Sequence, residues 1–350
     1  MEKTLQKMDF CEHIRLRTGM YIGQIGDGST PKDGIYTLLK ELLNNSVREF
    51  LEGHGNLIEI VFDEKNASIR DYGSGCPLEW ARVDQRRNHS EWELRDQGLG
   101  GRGLAITNAL SASFIIESYH NGVKYWDRYS KGVWEGHGEE GTTEPDGTVV
   151  RFSPDGDVFE RYSFQEGHIK EIVKLYCYMY KGLTIKLNGA VFISDGGLLD
   201  LMTEQLKPLY TPIHLEGKDI EIVLTHLACD ETIILSYVNG HPTILGGTHK
   251  AAFIRALRFV FKKLSKKCLA GRNCLRGVYA AIRINVKHPH YETAVYEELI
   301  TPYMYEDCNG EHLESPMAIG RYVSEFVKTN LIPYLQQNED VVEIIRKKVE

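Results

Sequence analysis

The chain has 350 residues, of which 42% are hydrophobic and 26% are charged. This composition is that of a globular protein with room for two domains, and the formal net charge of −8 excludes a uniformly basic nucleic-acid binder while allowing a local basic patch. A polar N-terminus and the lack of any apolar stretch of membrane-spanning length predict a cytoplasmic protein. The seven cysteines form no C-x-x-C pair, so we expect reduced thiols; the spacing does not support the alternative of a zinc site.

Residues 35–51 are predicted to form one amphipathic helix, because apolar residues recur there at three- and four-residue spacing. Glu41, Asn45 and Glu49 stand one turn apart in a polar row along the edge of the apolar face. A carboxylate and a carboxamide in such a row suit activation of water and binding of Mg²⁺, which prefers oxygen ligands. A solvated polar row is the ordinary alternative, and the helix alone does not decide between the two.

Two glycine-rich segments follow the helix. Residues 71–75, Asp-Tyr-Gly-Ser-Gly, come after a predicted strand at Leu57–Phe62, and their glycines allow the backbone to approach a ligand closely. Residues 98–103, Gly-Leu-Gly-Gly-Arg-Gly, precede an apolar helical stretch and offer backbone N–H groups to a phosphate. Together with Gly147-Thr148 on a later strand, the order of these motifs resembles the nucleotide site of the GHKL ATPases.

The remainder of the N-terminal half has strong β signals. Asn121-Gly122 and Asn188-Gly189 are turn dipeptides between predicted strands, and a helix is predicted at about residues 164–179. Helices on one side of a mostly antiparallel sheet make a two-layer α+β sandwich, which is the fold class we expect. Between the glycine segments, the strongly charged residues 79–96 are compatible equally with a mobile cover and with a surface helix.

A domain boundary is predicted near residue 210, where a helical segment at 198–206 stops and a new β pattern begins. Further on, Gly246-Gly247 opens a long predicted helix that reaches about residue 267, and a second long helix is predicted at 319–336. Basic side chains crowd the first of these helices, among them Lys262, Lys263, Lys266 and Lys267. A solvated helix face is the ordinary explanation of such a stretch, and a surface that faces phosphates is the alternative.

Six segments together resemble the B subunit of bacterial type IIA topoisomerases, the family of topoisomerase IV and gyrase B. They are Arg17-x-Gly-Met-Tyr-Ile-Gly23, Glu41-x-x-x-Asn45, Arg70-Asp71-Tyr-Gly-Ser-Gly75, Gly-Gly-x-Gly103 with Asn108-Ala-Leu-Ser111, Gly147-Thr-Val-Val-Arg-Phe152 and Gly246-Gly-Thr-His249. The resemblance implies a two-layer GHKL (Bergerat) ATPase sandwich over residues 1–210. It also implies an α/β transducer domain of the ribosomal S5 domain 2-like type over residues 211–350.

The same resemblance implies a role for each matched residue. Glu41 would be the general base that polarises the attacking water, Asn45 the Mg²⁺ ligand, and Asp71 the acceptor for the adenine amino group. The implied ATP-binding residues are Asn45, Asp71, Gly73, Gly75, Gly98, Leu99, Gly100, Gly101, Arg102, Gly103 and Thr148. In the family, ATP makes two B subunits dimerise around double-stranded DNA in an assembly with an A-type subunit. The surface implied to face DNA comprises Lys262, Lys263, Lys266 and Lys267.

The sequence departs from the family pattern at several places. The Gln-Thr-Lys loop of the transducer falls on Ala294-Val295-Tyr296, so the lysine that reaches the terminal phosphate is absent, which predicts weaker charge stabilisation. Asn44 replaces an aspartate, and the tyrosine arm that reaches the neighbouring protomer has no evident counterpart. The chain ends before a TOPRIM domain, so no DNA cleavage is expected of it, whether it is an excised fragment or a short divergent relative.

Three functions stay open at this point. The first is a Mg²⁺-dependent, ATP-hydrolysing dimer that forms the motor half of a type II topoisomerase. The second is a non-hydrolysing nucleotide-binding module that acts through ATP-dependent assembly, and the third is an interaction protein with an empty site. Retention of Glu41 favours the first function.

Overall fold

The computed structural model of the protein describes residues 9–83, 102–205, 207–264, 274–293, 295–304 and 317–349. The chain divides into two compact units, Met1–Ser194 and Asp195–Glu350, so the division lies before the predicted boundary at residue 210. Within the described ranges, none of the helices has the length and apolar character that a membrane crossing requires.

The first unit has helices on one side of a large sheet. Its described helices are α1 (Phe10–Leu16), α2 (Thr18–Ile22), α3 (Gly34–Leu51), a short 3₁₀ helix (Leu78–Ala81), α4 (Gly103–Ala109) and α5 (Glu166–Met179). Its strands are β1 (Leu57–Phe62), β2 (Ala67–Asp71), β3 (Ser111–His120), β4 (Val123–Ser130), β5 (Val133–Gly141), β6 (Gly147–Pro154), β7 (Thr184–Leu187) and β8 (Ala190–Phe192).

The eight strands lie in the order β5-β4-β3-β6-β2-β1-β7-β8. β1 pairs with β7 in parallel, and the other neighbours pair antiparallel. The predicted α+β sandwich with a mostly antiparallel sheet is thereby confirmed. β2 lies in the middle of the sheet between β1 and β6, and Asp71, its last residue, pairs with Ile58 of β1. The sheet therefore carries Asp71 at the end of a central strand.

Helix α3 matches the predicted amphipathic helix, beginning one residue earlier at Gly34. Its apolar face is buried in the core of the first unit, through Ile35, Leu38, Leu39, Leu42, Leu43 and Val47. The polar row is buried as well: Glu41, Asn45 and Glu49 are 9%, 3% and 7% exposed. This row is therefore not a solvated face, and buried carboxylates and amides of this kind need polar partners.

The second unit is built on a separate five-stranded sheet with the order β12-β11-β14-β10-β9. Its strands are β9 (Ile213–Gly217), β10 (Ile220–His226), β11 (Ile233–Val238), β12 (His241–Pro242), β13 (Gly246–Gly247), β14 (Val278–Ile284) and β15 (Glu298–Leu299), of which β13 and β15 form a small sheet of their own. Its helices are α6 (Leu198–Gln205), α7 (Thr248–Leu264), α8 (Ile319–Gln337) and α9 (Glu339–Val349).

One continuous core joins this sheet to α7, α8 and α9. It contains Ile222 and Leu224 of β10, Phe253 and Phe261 of α7, and Val327 of α8, all of them at most 1% exposed. The long helices expected in this half of the chain are confirmed as α7 and α8. The predicted end of α7 near residue 267 lies outside the described residues, and the described helix ends at Leu264.

The cysteines of the described ranges are free thiols, at positions Cys11, Cys76, Cys177, Cys229 and Cys274. The expectation of reduced thiols is confirmed for these five, while Cys268 and Cys308 lie outside the described residues. The clusters of potential metal ligands found in the described part contain no cysteine.

Candidate functional site

The Asp71 carboxylate accepts three hydrogen bonds at the candidate site. Its Oδ1 atom accepts hydrogen bonds from the backbone N–H groups of Gly73, at 3.1 Å, and Thr148, at 3.0 Å. Its Oδ2 atom accepts a hydrogen bond of 3.0 Å from the hydroxyl of Ser46 on α3. The carboxylate therefore joins the helix, the first glycine turn and the beginning of β6 at one point.

The environment of Asp71 disfavours the ionised form of its carboxyl group. The residue is 3% exposed, and burial raises the pKa of its carboxyl group to about 6, with a smaller contribution from the nearby charge of Glu49. The three hydrogen bonds oppose this shift, because they stabilise the ionised form. At neutral pH the site thus holds a carboxylate that has lost most of its hydration and can accept a further hydrogen bond from a ligand.

Thr148 contributes a second polar atom at the same place. Its backbone N–H is bound to Asp71, but its buried Oγ1 atom has no hydrogen-bond partner within the described part of the chain. Thr148 is 2% exposed, and a buried hydroxyl without a partner is costly in a folded protein. Such an atom is expected where a ligand completes the hydrogen bonding.

The first glycine turn is fixed to α3 by Glu49. The Oε2 atom of Glu49 accepts hydrogen bonds from the backbone N–H of Ser74, at 2.7 Å, and from its hydroxyl, at 2.8 Å. Gly73 packs so closely on the same carboxylate that a Cβ atom there would lie 2.5 Å from Oε2. At Gly73 the backbone thus approaches Glu49 closely, and Gly75 closes the turn against Ser118 of β3. The close approach of this turn to a ligand stays a prediction.

Glu41 lies one helical turn before Asn45 and meets the end of the second glycine segment. A Cβ atom added to Gly103, the first residue of α4, would lie 2.4 Å from Oε2 of Glu41. Arg102 precedes this position and lies near Tyr21 of α2, whose pKa is raised by burial and to a smaller extent lowered by the charge of Arg102. The structure therefore brings Glu41 and Gly103, with the adjacent Arg102, together on one side of α3.

Asn45 lies between these two groups on α3. Its Oδ1 atom is 3.4 Å from Nη2 of Arg48, and its side chain lies near the thiol of Cys76. Asn45 offers the hard oxygen ligand that Mg²⁺ prefers, whereas Cys76 is a buried thiol whose pKa is raised by desolvation. Within the described residues, the metal ligand implied by the family resemblance thus lies on the same face of α3 as Glu41.

Several predicted site residues cannot be compared with the structure. Gly98, Leu99, Gly100 and Gly101 lie outside the described residues, as does most of the charged segment 79–96. In the second unit Lys262 and Lys263 are exposed on α7, and Lys266 and Lys267 are outside the described residues. Tyr296, at the position of the family's lysine loop, stacks on His241 with ring centroids 4.4 Å apart.

Two polar contacts at the site have no local signal in the sequence. The Ser46 hydroxyl binds Asp71, and Asn44 accepts a hydrogen bond of 2.6 Å from the hydroxyl of Tyr176 on α5. Asn44, which replaces the family's aspartate, is therefore turned towards α5 and serves the packing of α3. Each contact joins residues that are far apart in sequence, so only the fold reveals it.

Solved structures of gyrase B subunits have the same fold as this chain. The 43K ATPase domain of Thermus thermophilus gyrase B, solved in complex with an aminocoumarin, aligns over 97% of this chain and 94% of its own with a TM-score of 0.70 and 24% identity. The B-subunit of DNA gyrase from Myxococcus xanthus aligns over 97% of this chain and 99% of its own with a TM-score of 0.78 and 17% identity. Both likenesses show that the chain has the α+β fold of these gyrase B structures.

Sequence comparison narrows the class to one family. The family described as DNA gyrase B matches residues 197–350. The B subunit of DNA topoisomerase 4 from Borreliella burgdorferi is 34% identical over 308 residues, which are 85% of this chain and 51% of that protein. The chain belongs to the family of type IIA topoisomerase B subunits, which includes those of gyrase and topoisomerase IV. It spans about half the length of the curated relatives that it matches.

Proposed function

We propose that the chain binds ATP and Mg²⁺ at the Asp71–Glu41 site and hydrolyses ATP, as the ATPase and transducer region of a type II topoisomerase B subunit. The observation that carries the proposal is the buried pair formed by the Asp71 carboxylate and the unpartnered Thr148 hydroxyl. Both groups are almost completely buried. Together they offer a hydrogen-bond acceptor, the carboxylate, and a donor, the hydroxyl, a short distance apart. This chemistry fits a purine base with an amino group next to a ring nitrogen.

The residues of α3 fit the phosphate end of such a ligand. Asn45 would hold Mg²⁺ through Oδ1, and Glu41 would accept a proton from the attacking water. Bound Mg²⁺ would supply positive charge that neutralises the phosphate oxygens. The burial of Glu41 supports its proposed role, since a carboxylate that is only 9% exposed can orient a single water molecule without competition from bulk solvent.

The proposal is tested by steady-state hydrolysis of ATP with and without Mg²⁺. We expect Mg²⁺-dependent turnover that falls at least about a hundredfold in Glu41→Ala, because the variant has lost the general base. Binding of a non-hydrolysable analogue, followed as a rise in melting temperature, should survive in that variant. Glu166→Ala, which removes an exposed carboxylate of α5, is the matched control and should hydrolyse ATP normally.

Equal turnover in the wild type and in Glu41→Ala would refute the hydrolytic role. A protein whose melting temperature responds to neither ATP nor the analogue would refute nucleotide binding altogether, and with it the role assigned to Asp71.

A non-hydrolysing nucleotide-binding module is the second candidate, and one observation favours it. Tyr296, where the family resemblance places a lysine that reaches the terminal phosphate, has φ of 62° and stacks on His241. Tyr291 packs edge-on against the ring of Tyr296 at 5.0 Å, so this loop is held by aromatic contacts in the second unit. Under this alternative, ATP raises the melting temperature but no turnover above the Glu41→Ala background is detected.

We further propose the partners of the whole family protein for this chain: a second copy of the chain, an A-type subunit and double-stranded DNA. The support for a DNA contact is the α7 surface, where Lys262 and Lys263 are exposed and the helix carries no acidic residue from Thr248 to Leu264. A surface of this charge attracts phosphates without reading sequence. Dimerisation is tested by sedimentation of the protein with and without the ATP analogue, and a monomer under both conditions would refute it.

A further inference from the structure

Arg48 lies across the carboxamide of the proposed metal ligand. Its Nη2 atom is 3.4 Å from Oδ1 of Asn45, which is a long hydrogen bond. The guanidinium carbon also lies 4.4 Å from the centroid of the Trp80 ring, and Nε is 3.9 Å from Oε1 of Glu52. Arg48 therefore has an aromatic and an acidic neighbour that can hold it when the contact with Asn45 is broken.

The contact occupies the atom that a metal ion needs. Only the oxygen of the Asn45 carboxamide can bind a cation, because its NH₂ group is a donor. Asn45 is 3% exposed, and charges in such a sheltered place interact more strongly than in water. A guanidinium at this oxygen therefore opposes the arrival of a second positive charge at the same atom.

We propose that Arg48 competes with Mg²⁺ for Oδ1 of Asn45 and so raises the Mg²⁺ concentration that nucleotide binding requires. The inference rests on the proposed ATP site and adds a positioning residue to it. Metal binding releases the hydrogen bond from Arg48 to Asn45, while the stacking on Trp80 and the ion pair with Glu52 remain available. Arg48 thereby couples the state of the metal ligand to the 3₁₀ helix that carries Trp80.

The test is the Mg²⁺ dependence of binding of a non-hydrolysable ATP analogue, measured by calorimetry in the wild type and in Arg48→Met. Methionine keeps an apolar stem against Trp80 but removes the charge and the donors. We expect the half-saturating Mg²⁺ concentration to fall at least about threefold, the scale of one hydrogen bond, with unchanged affinity for the analogue in the absence of metal. Arg128→Met, which removes an arginine 5.7 Å from the Trp126 ring, is the matched control and should behave as the wild type.

Two further variants keep the test decisive. Arg48→Gln, also neutral, should show the same fall in the Mg²⁺ requirement, and Arg48→Lys, which keeps the charge, should stay near the wild type. An unchanged or higher requirement in both neutral variants overturns the proposal. Weaker binding of the analogue without metal also overturns it, because Arg48 would then bind phosphate itself.

The outcomes separate this proposal from the one on which it rests. If the wild type binds the analogue with Mg²⁺ and the neutral variants show no change in Mg²⁺ dependence, only the role of Arg48 fails. If the wild type binds no analogue at any Mg²⁺ concentration, the proposed ATP site fails, and the competition at Asn45 fails with it.

Discussion

The hydroxyl of Ser46 donates a hydrogen bond of 3.0 Å to Oδ2 of Asp71, which ties α3 to the last residue of β2. Thr148 binds the other oxygen of the same carboxylate from β6. The Asp71 carboxylate therefore both holds elements of the fold together and makes the proposed contact with adenine. Any change in its ionisation should be visible in stability and in nucleotide affinity.

Nucleotide affinity is expected to decrease in acid. Burial raises the pKa of Asp71 to about 6, and only the ionised carboxylate leaves both oxygens free of protons to accept hydrogen bonds. Below that pH the binding-competent fraction falls, so the Kd of an ATP analogue should rise by close to tenfold for each further pH unit. Calorimetric titration from neutral pH to about one pH unit below this pKa measures the effect, and a constant Kd across the range would contradict it.

The same group has the opposite effect on stability. Its folded pKa of about 6 lies above the ordinary value of 3.8, so between these values the folded protein holds a proton that the unfolded chain releases. The contribution of Asp71 to the free energy of unfolding therefore increases as the pH falls through this window. The gain is complete below the ordinary value, where both states are protonated, and it amounts to about 3 kcal/mol relative to neutral pH.

The difference in urea-unfolding free energy between the wild type and Asp71→Asn isolates this effect, since other titrating groups cancel. The carboxamide of the variant carries no charge at any pH, so the difference should change between neutral pH and about pH 4.5 in favour of the wild type at the lower pH. A difference that is independent of pH would show that the carboxyl group titrates normally.

Gly103 is expected to be indispensable for the position of Glu41. In Gly103→Ala the new methyl group would lie 2.4 Å from Oε2 and 2.7 Å from Cβ of Glu41, so the proposed base has to move. We expect turnover to fall at least about tenfold and stability to fall by about 1–3 kcal/mol, as for overpacking of a core. ATP hydrolysis and urea unfolding of the variant measure the two effects.

Gly167→Ala is the control for this change, because Gly167 also lies in a helix and a Cβ atom there meets nothing within 4 Å. Alanine should stabilise α5 by about 0.5–1 kcal/mol and leave turnover unchanged. Equal behaviour of the two variants would show that the contact between Gly103 and Glu41 has no consequence.

The parts of the site that could be predicted from sequence are those that local patterns specify. The apolar periodicity of residues 35–51 indicated α3, and the β signal at Leu57–Phe62 indicated β1 with the same bounds as observed. The motif residues Glu41, Asn45 and Asp71 lie on or beside these elements, so they could be chosen in advance. Local patterns, among them the regular spacing of apolar residues, were therefore enough to predict both the fold class and these candidate site residues.

The remaining contacts depend on residues brought together by the fold. Ser46 and Asp71 are 25 positions apart, and Asn44 and Tyr176 are 132 apart, so no window of sequence contains either pair. Strand β5 was also missed, because at Val133–Gly141 its residues are mostly exposed and show no buried alternation. The long hydrogen bond from Arg48 to Asn45 joins neighbours on one helix, yet its significance depends on Trp80 from another element.

Acid is expected to destabilise the second unit through its buried histidines. Desolvation lowers the pKa of His249 to about 3 and that of His226 to about 4, from an ordinary value of 6.5. The unfolded chain therefore binds protons that the folded protein excludes, and stability is lost as the pH falls below about 6.5. At about pH 5 each histidine should lower the free energy of unfolding by about 2 kcal/mol relative to its value at neutral pH.

The variant His249→Gln removes one of these groups while keeping a polar atom that can reach Thr243, a partner of His249 at 3.2 Å. The loss of unfolding free energy between neutral pH and about pH 5 should be smaller in this variant by the contribution of one histidine. An identical loss in both proteins would show that His249 is protonated without penalty in the folded state.

When the exposed lysines of α7 are neutralised, DNA binding through this face should weaken to the same extent for every DNA sequence. Each phosphate contact releases condensed counterions, so the double variant Lys262→Gln/Lys263→Gln should reduce the slope of log K against log salt concentration by up to about 2. Lys170→Gln on α5, an exposed lysine paired with Glu166 in the first unit, is the control of equal chemistry. Filter binding to a duplex over a series of salt concentrations measures the slopes. An unchanged slope in the double variant would place the DNA contact on a different surface. Lys263 also lies 4.5 Å from the exposed ring of Phe259, and Lys328 of α8 lies 4.7 Å from the same ring.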